Sequence, residues 1–343
     1  MSSETIADAS HRIVLAHGGG GTLTQELISA HIMPRLANEL LNPLDDSAIL
    51  PRPDNRLVFT TDAFVVQPLE FPGGDIGRLA VCGTVNDLAV MGAIPRAVSL
   101  ALVIEEGLPL ELFDRILESI ADAARQAAVP IATGDTKVIE RRGGDGLMIT
   151  TAGVGELRSH VNLSLSRIQT GDCVIVTGNL AEHGLAVMAV REGLGFDSDL
   201  ASDAAPLNGL VGAVLDTGAE VKFLRDPTRG GLAGVLADIA EETNLTIRVE
   251  ESALPITPIV RHTSELLGLD PLTVANEGKC VIVAAERDAD KVLAACRGHE
   301  LGRHAAIIGT TVEADPPLVE LHTAIGGSRI IQRPYGEELP RIC

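Results

Sequence analysis

The sequence predicts a two-domain α/β (α+β) protein with mixed sheets flanked by helices and a flexible C-terminal tail. Three observations carry this expectation. A chain of 343 residues that is 45% hydrophobic is long enough for two cores, at roughly 100–200 residues per domain. Short β-branched runs alternate with segments of helical periodicity in both halves. From Gly326 onward, Gly326-Gly327, Pro334, Gly336 and Pro340 prevent any long helix.

Residues 1–44 read as an N-terminal arm, in which His17-Gly18-Gly19-Gly20-Gly21 runs into the N-capped helical segment beginning at Thr22. Residues 45–160 read as the first domain. Its strands are expected at Leu57–Thr61, Ala97–Ile104 and Gly146–Val154, and its helices at Gly77–Ala89 and Leu110–Ala127. In the second helix Leu112, Ile116, Ile120 and Ala123-Ala124 recur at the spacing of one buried face. Leu163–Thr170 is a polar linker, and residues 161–325 read as a second α/β domain. It opens on Cys173–Thr177, with helices at Gly184–Glu192 and Gly209–Thr217. A Gly-rich break at Asp226–Gly231 leads into another helix, and strands follow at Thr246–Val249, Lys279–Ala284 and Ala306–Thr311. Residues 326–343 are expected to be a mobile tail.

Composition narrows the function. Lys+Arg 27 against Asp+Glu 47 gives a net charge of −20, which repels phosphate backbones, and the aromatic share of 2% supplies no base-stacking platform. Nucleic acid is therefore not an expected partner. Apolar runs such as Leu100–Ile104 are too short to cross a membrane, and Met1–Asp8 lacks the apolar stretch of a signal peptide. Five scattered cysteines without a C-x-x-C pair fit a reducing cytoplasm, and four of them lie in apolar surroundings that suit small buried side chains.

No P-loop and no G-x-G-x-x-G fingerprint is present. Instead, carboxylates stand at strand ends or helix starts beside small residues: Asp62, Asn86-Asp87, Gly134-Asp135-Thr136-Lys137 and Asp226-Pro227-Thr228-Arg229. Oxygen ligands in this number suit Mg²⁺ bridging to a nucleotide, with Asp62, Asp87, Asp135 and Asp226 as metal candidates. An Asp at a strand end is also an ordinary turn or cap. Asp87, inside an apolar helix, needs a metal or a hydrogen-bond partner. Lys137 closes a loop after Asp135 and reads either as a surface ion pair or as a phosphate contact or base. Glu277 precedes a strand and reads as an acidic turn. Cys343 is the last residue, and its own carboxylate disfavours the thiolate relative to the ~8.5 of a free cysteine. From Gly327 to Cys343 sixteen steps of up to ~3.3–3.6 Å reach ~50 Å, enough for a swinging arm.

These motifs resemble the HypE family of hydrogenase-maturation carbamoyl dehydratases, within the superfamily that includes aminoimidazole ribonucleotide synthetase, thiamine monophosphate kinase and selenophosphate synthetase. The resemblance spans nearly the whole chain. It rests on Phe71-Pro72-Gly73-Gly74-Asp75-Ile76-Gly77, Cys82-Gly83-Thr84-Val85-Asn86-Asp87-Leu88, Gly134-Asp135-Thr136-Lys137-Val138, Asp226-Pro227-Thr228-Arg229-Gly230-Gly231-Leu232, Ala275-Asn276-Glu277-Gly278-Lys279 and the terminal Pro340-Arg341-Ile342-Cys343. It implies a fold like aminoimidazole ribonucleotide synthetase, and a homodimer joined through residues 45–160 with ATP and Mg²⁺ held near that interface. Asp62, Asn86, Asp87, Gly134, Asp135, Thr136, Asp226, Thr228 and Arg229 are the expected nucleotide site, and Cys343, Lys137 and Glu277 the expected catalytic residues. Cys343 would be carbamoylated by the HypF carbamoyltransferase, dehydrated to an S-cyanate at the expense of ATP, and relieved of cyanide by a HypC–HypD complex. Two positions depart from the family pattern: Gly19 where Ser is usual, and Ala181-Glu182 where Gly-Asp is usual before His183-Gly184. Another ATP-dependent synthetase or kinase of the same superfamily, or a non-enzymatic cyano carrier, are the competing readings.

Overall fold

The computed structural model describes residues 21–27, 29–30, 48–50, 56–140, 145–194, 200–336, 339 and 341–343. The departure at Gly19 and most of the Gly-rich loop lie outside the described residues. Elements are numbered here in chain order. In the first half, α1 spans Thr22–Leu27, β1 Ala48–Leu50, β2 Leu57–Phe64, β3 Glu70–Phe71, β4 Gly74–Asp75, α2 Ile76–Val90, β5 Ala93–Glu105, α3 Leu110–Ala127, β6 Ile131–Ile139 and β7 Leu147–Leu157.

One five-stranded sheet has the order β1-β2-β7-β5-β6, antiparallel except for the parallel β5/β6 pair. Along β7 every second residue from Leu147 is buried, the pattern of a sheet covered on one face. The cover is α2 and α3. Helix α2 starts where the Asp75 carboxylate accepts the Arg78 amide at 2.9 Å, and it is buried almost throughout. Helix α3 turns Ile116, Ile120, Ala123 and Ala124 inward as its spacing predicts.

In the second half, β8 spans Cys173–Val176, α4 Glu182–Arg191, α5 Asn208–Leu215, β9 Val221–Arg225, α6 Gly231–Thr243, β10 Thr246–Glu250 and α7 Pro258–Leu267. These are followed by β11 Val281–Ala284, α8 Glu286–Arg297, β12 Ala306–Val312, β13 Val319–His322 and β14 Ser328–Ile331. The seven-stranded sheet runs β14-β13-β10-β12-β8-β11-β9, antiparallel except for β10/β13. Strands β8 and β11 are buried at every position because helices cover both faces: α6 one side, α5 and α8 the other.

Two expectations change. Residues 133–137 form part of β6, a nine-residue edge strand beside β5, rather than a loop. Its exposed side chains carry no apolar alternation, so only pairing with β5 defines it. Ser328–Ile331 likewise pairs with β13, so the chain leaves the second sheet only after Ile331. The eleven steps from Gln332 to Cys343 reach ~36–40 Å.

The two sheets share a core. Ala89 and Val90 of α2 pack with α5 and β9, while Ala181, Leu185 and Val187 near and within α4 belong to the cluster of α2 and α3. Asn86 of α2 fastens the seam: its Nδ2 donates to the Ala205 and Glu277 carbonyls at 3.1 and 2.9 Å, and its Oδ1 accepts the Leu207 amide at 2.7 Å.

Candidate active site

At that seam the loop before β11 carries Glu277 at 2% exposure. Its main chain is held from both sides, because its amide donates to Asp203 Oδ1 at 3.1 Å and its carbonyl accepts from Asn86. Asn276, fully buried, ties the same loop to its neighbours: its Nδ2 donates to the Pro227 and Val274 carbonyls, and its Oδ1 accepts the Ala181 amide at 2.8 Å. Gly278 brings the strand start against Asp203, whose carbonyl would lie 1.8 Å from a Cβ at position 278. Gly278→Ala is therefore expected to cost about 1–3 kcal/mol by overpacking, read as a lower midpoint in chemical denaturation at unchanged slope.

Asp203 receives the Glu277 and Gly278 amides and, at 3.1 Å, Lys279 Nζ, which also lies 3.6 Å from Glu182. Burial alone would raise the Asp203 carboxyl, but Lys279, His183 and the Glu277 amide overcome it and hold the group below its ordinary value. Glu277 goes the other way. Burial, reinforced by the Asp226, Asp203 and Asp62 carboxylates and only partly offset by Arg229, pushes it well above the carboxylate range. Its Oε1 has no hydrogen-bond partner among the described residues. A carboxyl that gives up its proton reluctantly, with one oxygen open, is poised as a proton acceptor.

Cys343 reaches this carboxyl. The tail turns inward, with Leu339 and Ile342 buried against the first-half core and Cys343 packed at its edge, close enough to Glu277 for the two groups to act on each other electrostatically. Its pKa is pushed up to about 12, by burial first and Glu277 next, with Arg229 opposing. From sequence the weak acidity is expected from the terminal carboxylate; the pocket is the larger cause. Arg341 pairs with Asp145 at 2.8 Å. Cys82, Cys173, Cys280 and Cys296 are all buried.

The remaining expected residues divide into two groups. Asp62 accepts the Thr84 hydroxyl at 3.0 Å on the face of β2 toward α2, and Asp87 accepts the Thr60 hydroxyl at 2.7 Å, the partner its apolar helix demands. Asp226 is buried on the turn after β9, where the Thr228 carbonyl accepts the Gly231 amide and Pro227 is bonded by Asn276. Asp62 and Arg229 lie closely enough to act on both Glu277 and Cys343, and Asp226 acts on Glu277. Asn86 spends its amide on the seam. The other group is on β6. Gly134 lies in one cross-strand row with Leu100, Thr151 and Asp62, three strand spacings or ~14 Å from β2. Thr136 lies two residues further along the same strand. Asp135 and Lys137 stand opposite Ala101 and Val103 on the outer sheet face and are exposed. Within one chain Lys137 is therefore not beside Glu277. Among the described residues no group of three or more His, Cys, Asp or Glu side chains converges closely enough to hold a metal.

The residues not anticipated are Asp203, Lys279 and His183. Lys279 and His183 stand inside quoted motifs without a role; Asp203, in Ser202-Asp203-Ala204, has no local signal. His183 is fully buried, meets the Phe71 ring edge-on at 5.4 Å, and bonds Ser202 and the tail.

This arrangement defines a class. Residues 44–157 match the N-terminal domain of AIR synthase related proteins, and residues 169–320 match their C-terminal domain. Within that class the chain belongs to the HypE carbamoyl dehydratase family. It is 47% identical over 98% of its length to the carbamoyl dehydratase HypE of Rhizobium leguminosarum bv. viciae, covering 96% of that protein. Its fold superposes with a TM-score of 0.85 on HypE in a HypE–HypF complex, at 44% identity over 90% of this chain and 99% of that one. Against a hydrogenase maturation protein HypE in complex with ATP the TM-score is 0.81, at 40% identity over 97% of this chain and 100% of the other. Among the described residues no helix is long and apolar enough to cross a membrane.

Proposed function

We propose that this chain dehydrates an S-carbamoyl group on its own Cys343 to an S-cyanate, consuming ATP, and that the product is the source of a cyanide ligand in hydrogenase maturation. The observation that carries the reading is the terminal thiol lying against a buried carboxyl with one open oxygen. With the sulfur carbamoylated, the amide nitrogen takes a place near that oxygen, and Glu277 accepts its proton. Once ionised, a carboxyl shifted upward is a stronger base toward a weakly acidic N–H than an ordinary one. Arg229, already close to both groups, balances the negative charge that develops.

The donor set fits MgATP. Asp62 and Asp226 crowd negative charge around Glu277 with few cations to offset it, as an oxygen-ligated divalent ion requires. Asp62, Asp87 and Asp226 would hold the metal and Thr228 and Arg229 would contact the phosphates, while Asp135, Gly134 and Thr136 on β6 would reach such a site only from the second chain of a dimer. Bound MgATP supplies the phosphoryl group that turns the amide oxygen into a leaving group. Ligation of ATP in a 40% identical structure, and a HypF complex in a 44% identical one, support ATP and a carbamoyltransferase partner. A HypC–HypD complex is the acceptor this reading requires.

A homodimer through the first sheet is part of the same proposal. Among the described residues the outer sheet face mixes small, apolar and polar side chains, with Phe59 at 41% exposure beside Val154 and with Ala63 and Ala101 farther along. Lys137 stands on this face, so it is the second base only if it reaches the site across the interface. Lys137→Ala and Glu277→Gln chains, each inactive alone, should then recover activity when mixed and allowed to exchange subunits; no recovery removes Lys137 from that role.

Intact-mass analysis of the carbamoylated chain tests the whole reading. Loss of one water from the C-terminal peptide is expected only with ATP and Mg²⁺ present. The same loss without nucleotide would favour a passive carrier.

A further inference from the structure

The tail is tied to the segment that follows β2 by main-chain hydrogen bonds. The Val65 amide donates to the Cys343 carbonyl at 3.4 Å and the Gln67 amide to the Arg341 carbonyl at 3.3 Å, two contacts two residues apart along each segment. Between these rungs His183 Nε2 lies 2.8 Å from the Ile342 carbonyl, and Arg191 bonds the Arg341 and Gln67 carbonyls together. A carbonyl only accepts, so His183 carries its proton on Nε2, and Nδ1 accepts from the Ser202 hydroxyl at 2.8 Å. Ser202 is fixed in turn by its amide on the Pro72 carbonyl at 2.7 Å. This dyad fixes both ring orientation and tautomer.

A second observation shows that the tail needs such a clamp. Arg341 has φ +54°, a left-handed conformation that a side-chain-bearing residue leaves when nothing holds it. The bonds to its carbonyl and its pairing with Asp145 hold the turn that aims residue 343 inward.

Deepening the dehydratase reading, we propose that His183, oriented by Ser202, is a positioning residue that locks the penultimate carbonyl and so delivers the terminal sulfur to Glu277. The contact is to main chain, so it sets the position of the thiol whatever group the sulfur carries. Arg191 supplies the adjacent contact and Cys343 the reacting atom.

The test reads the tail directly in the full chain, without turnover. Iodoacetamide labels Cys343 slowly when it is docked, half-buried and weakly acidic, and its labelling rises with the undocked fraction. His183→Leu keeps the bulk and loses the donor; His183→Gln keeps a donor at the Nε2 position. Loss of one buried hydrogen bond predicts labelling of Cys343 about tenfold faster in His183→Leu than in the parent, with His183→Gln restoring slow labelling. The four core cysteines serve as the internal control and stay unlabelled. Equal rates in the Leu and Gln variants would overturn the proposal. If the Leu variant exposes the core cysteines as well, Ser202→Ala decides: a severalfold rise confined to Cys343 supports the clamp, and the parental rate overturns it. ATP-dependent water loss in the same variants separates the two ideas. Fast labelling with unchanged water loss refutes positioning but leaves the dehydratase reading standing. Absence of water loss in the parent refutes that reading and leaves the clamp intact.

Discussion

Glu277→Gln is expected to slow ATP-dependent water loss from the carbamoylated chain by about 10²–10⁴, the usual contribution of a positioned base, while carbamoylation of Cys343 proceeds as in the parent. The main-chain bonds to Asp203 and Asn86 do not involve the side chain and survive the change. The same substitution should stabilise the fold. Glu277 titrates above an ordinary carboxyl, so over that pH range the folded chain holds a proton that the unfolded chain has released. Stability then falls as pH rises through that range. Gln does not ionise, so the variant's advantage should open above the ordinary carboxylate pKa and level off once Glu277 is ionised in the folded parent. Denaturation midpoints of both proteins from mild acid to mild alkali measure this. Water loss at the parental rate, or a midpoint difference that shrinks with rising pH, would refute the assignment.

Asp203→Ala is expected to cost about 3–5 kcal/mol, because it strands a buried cation and two amides. The Lys279 and Asp203 side chains are 10% and 1% exposed, so water does not replace the lost partner. In the parent the Asp203 contribution is present above the ordinary carboxylate pKa and is lost as pH falls through its depressed value. Parent and variant should therefore converge in strong acid and differ most near neutrality. A cost under about 1 kcal/mol at neutral pH would show the pair to be no more than a surface bridge.

Legibility in the sequence followed locality. Helix α3 is readable because its apolar residues fall on one stripe, and β8 because a run of β-branched residues admits little else. Strand β6 is not, since an exposed edge strand has no hydrophobic period and is defined by the hydrogen bonds of β5. Asp62, Asp226, Arg229 and Glu277 stand out as polar groups among small and apolar neighbours. Asp203 does not, since its worth depends on amides 74 and 75 residues further along.

By itself the sequence determined the α/β alternation, the acidic clusters and the terminal cysteine, because periodicity, charge and chain position belong to the chain before it folds. Only the tertiary structure decided that the Glu277 carboxyl is buried and holds its proton more tightly than usual, that Lys137 faces away from it within one chain, and that the tail rests inside. Each of these depends on burial and on groups brought from distant segments, and a carboxyl's proton affinity is set by what surrounds it rather than by its place in the chain.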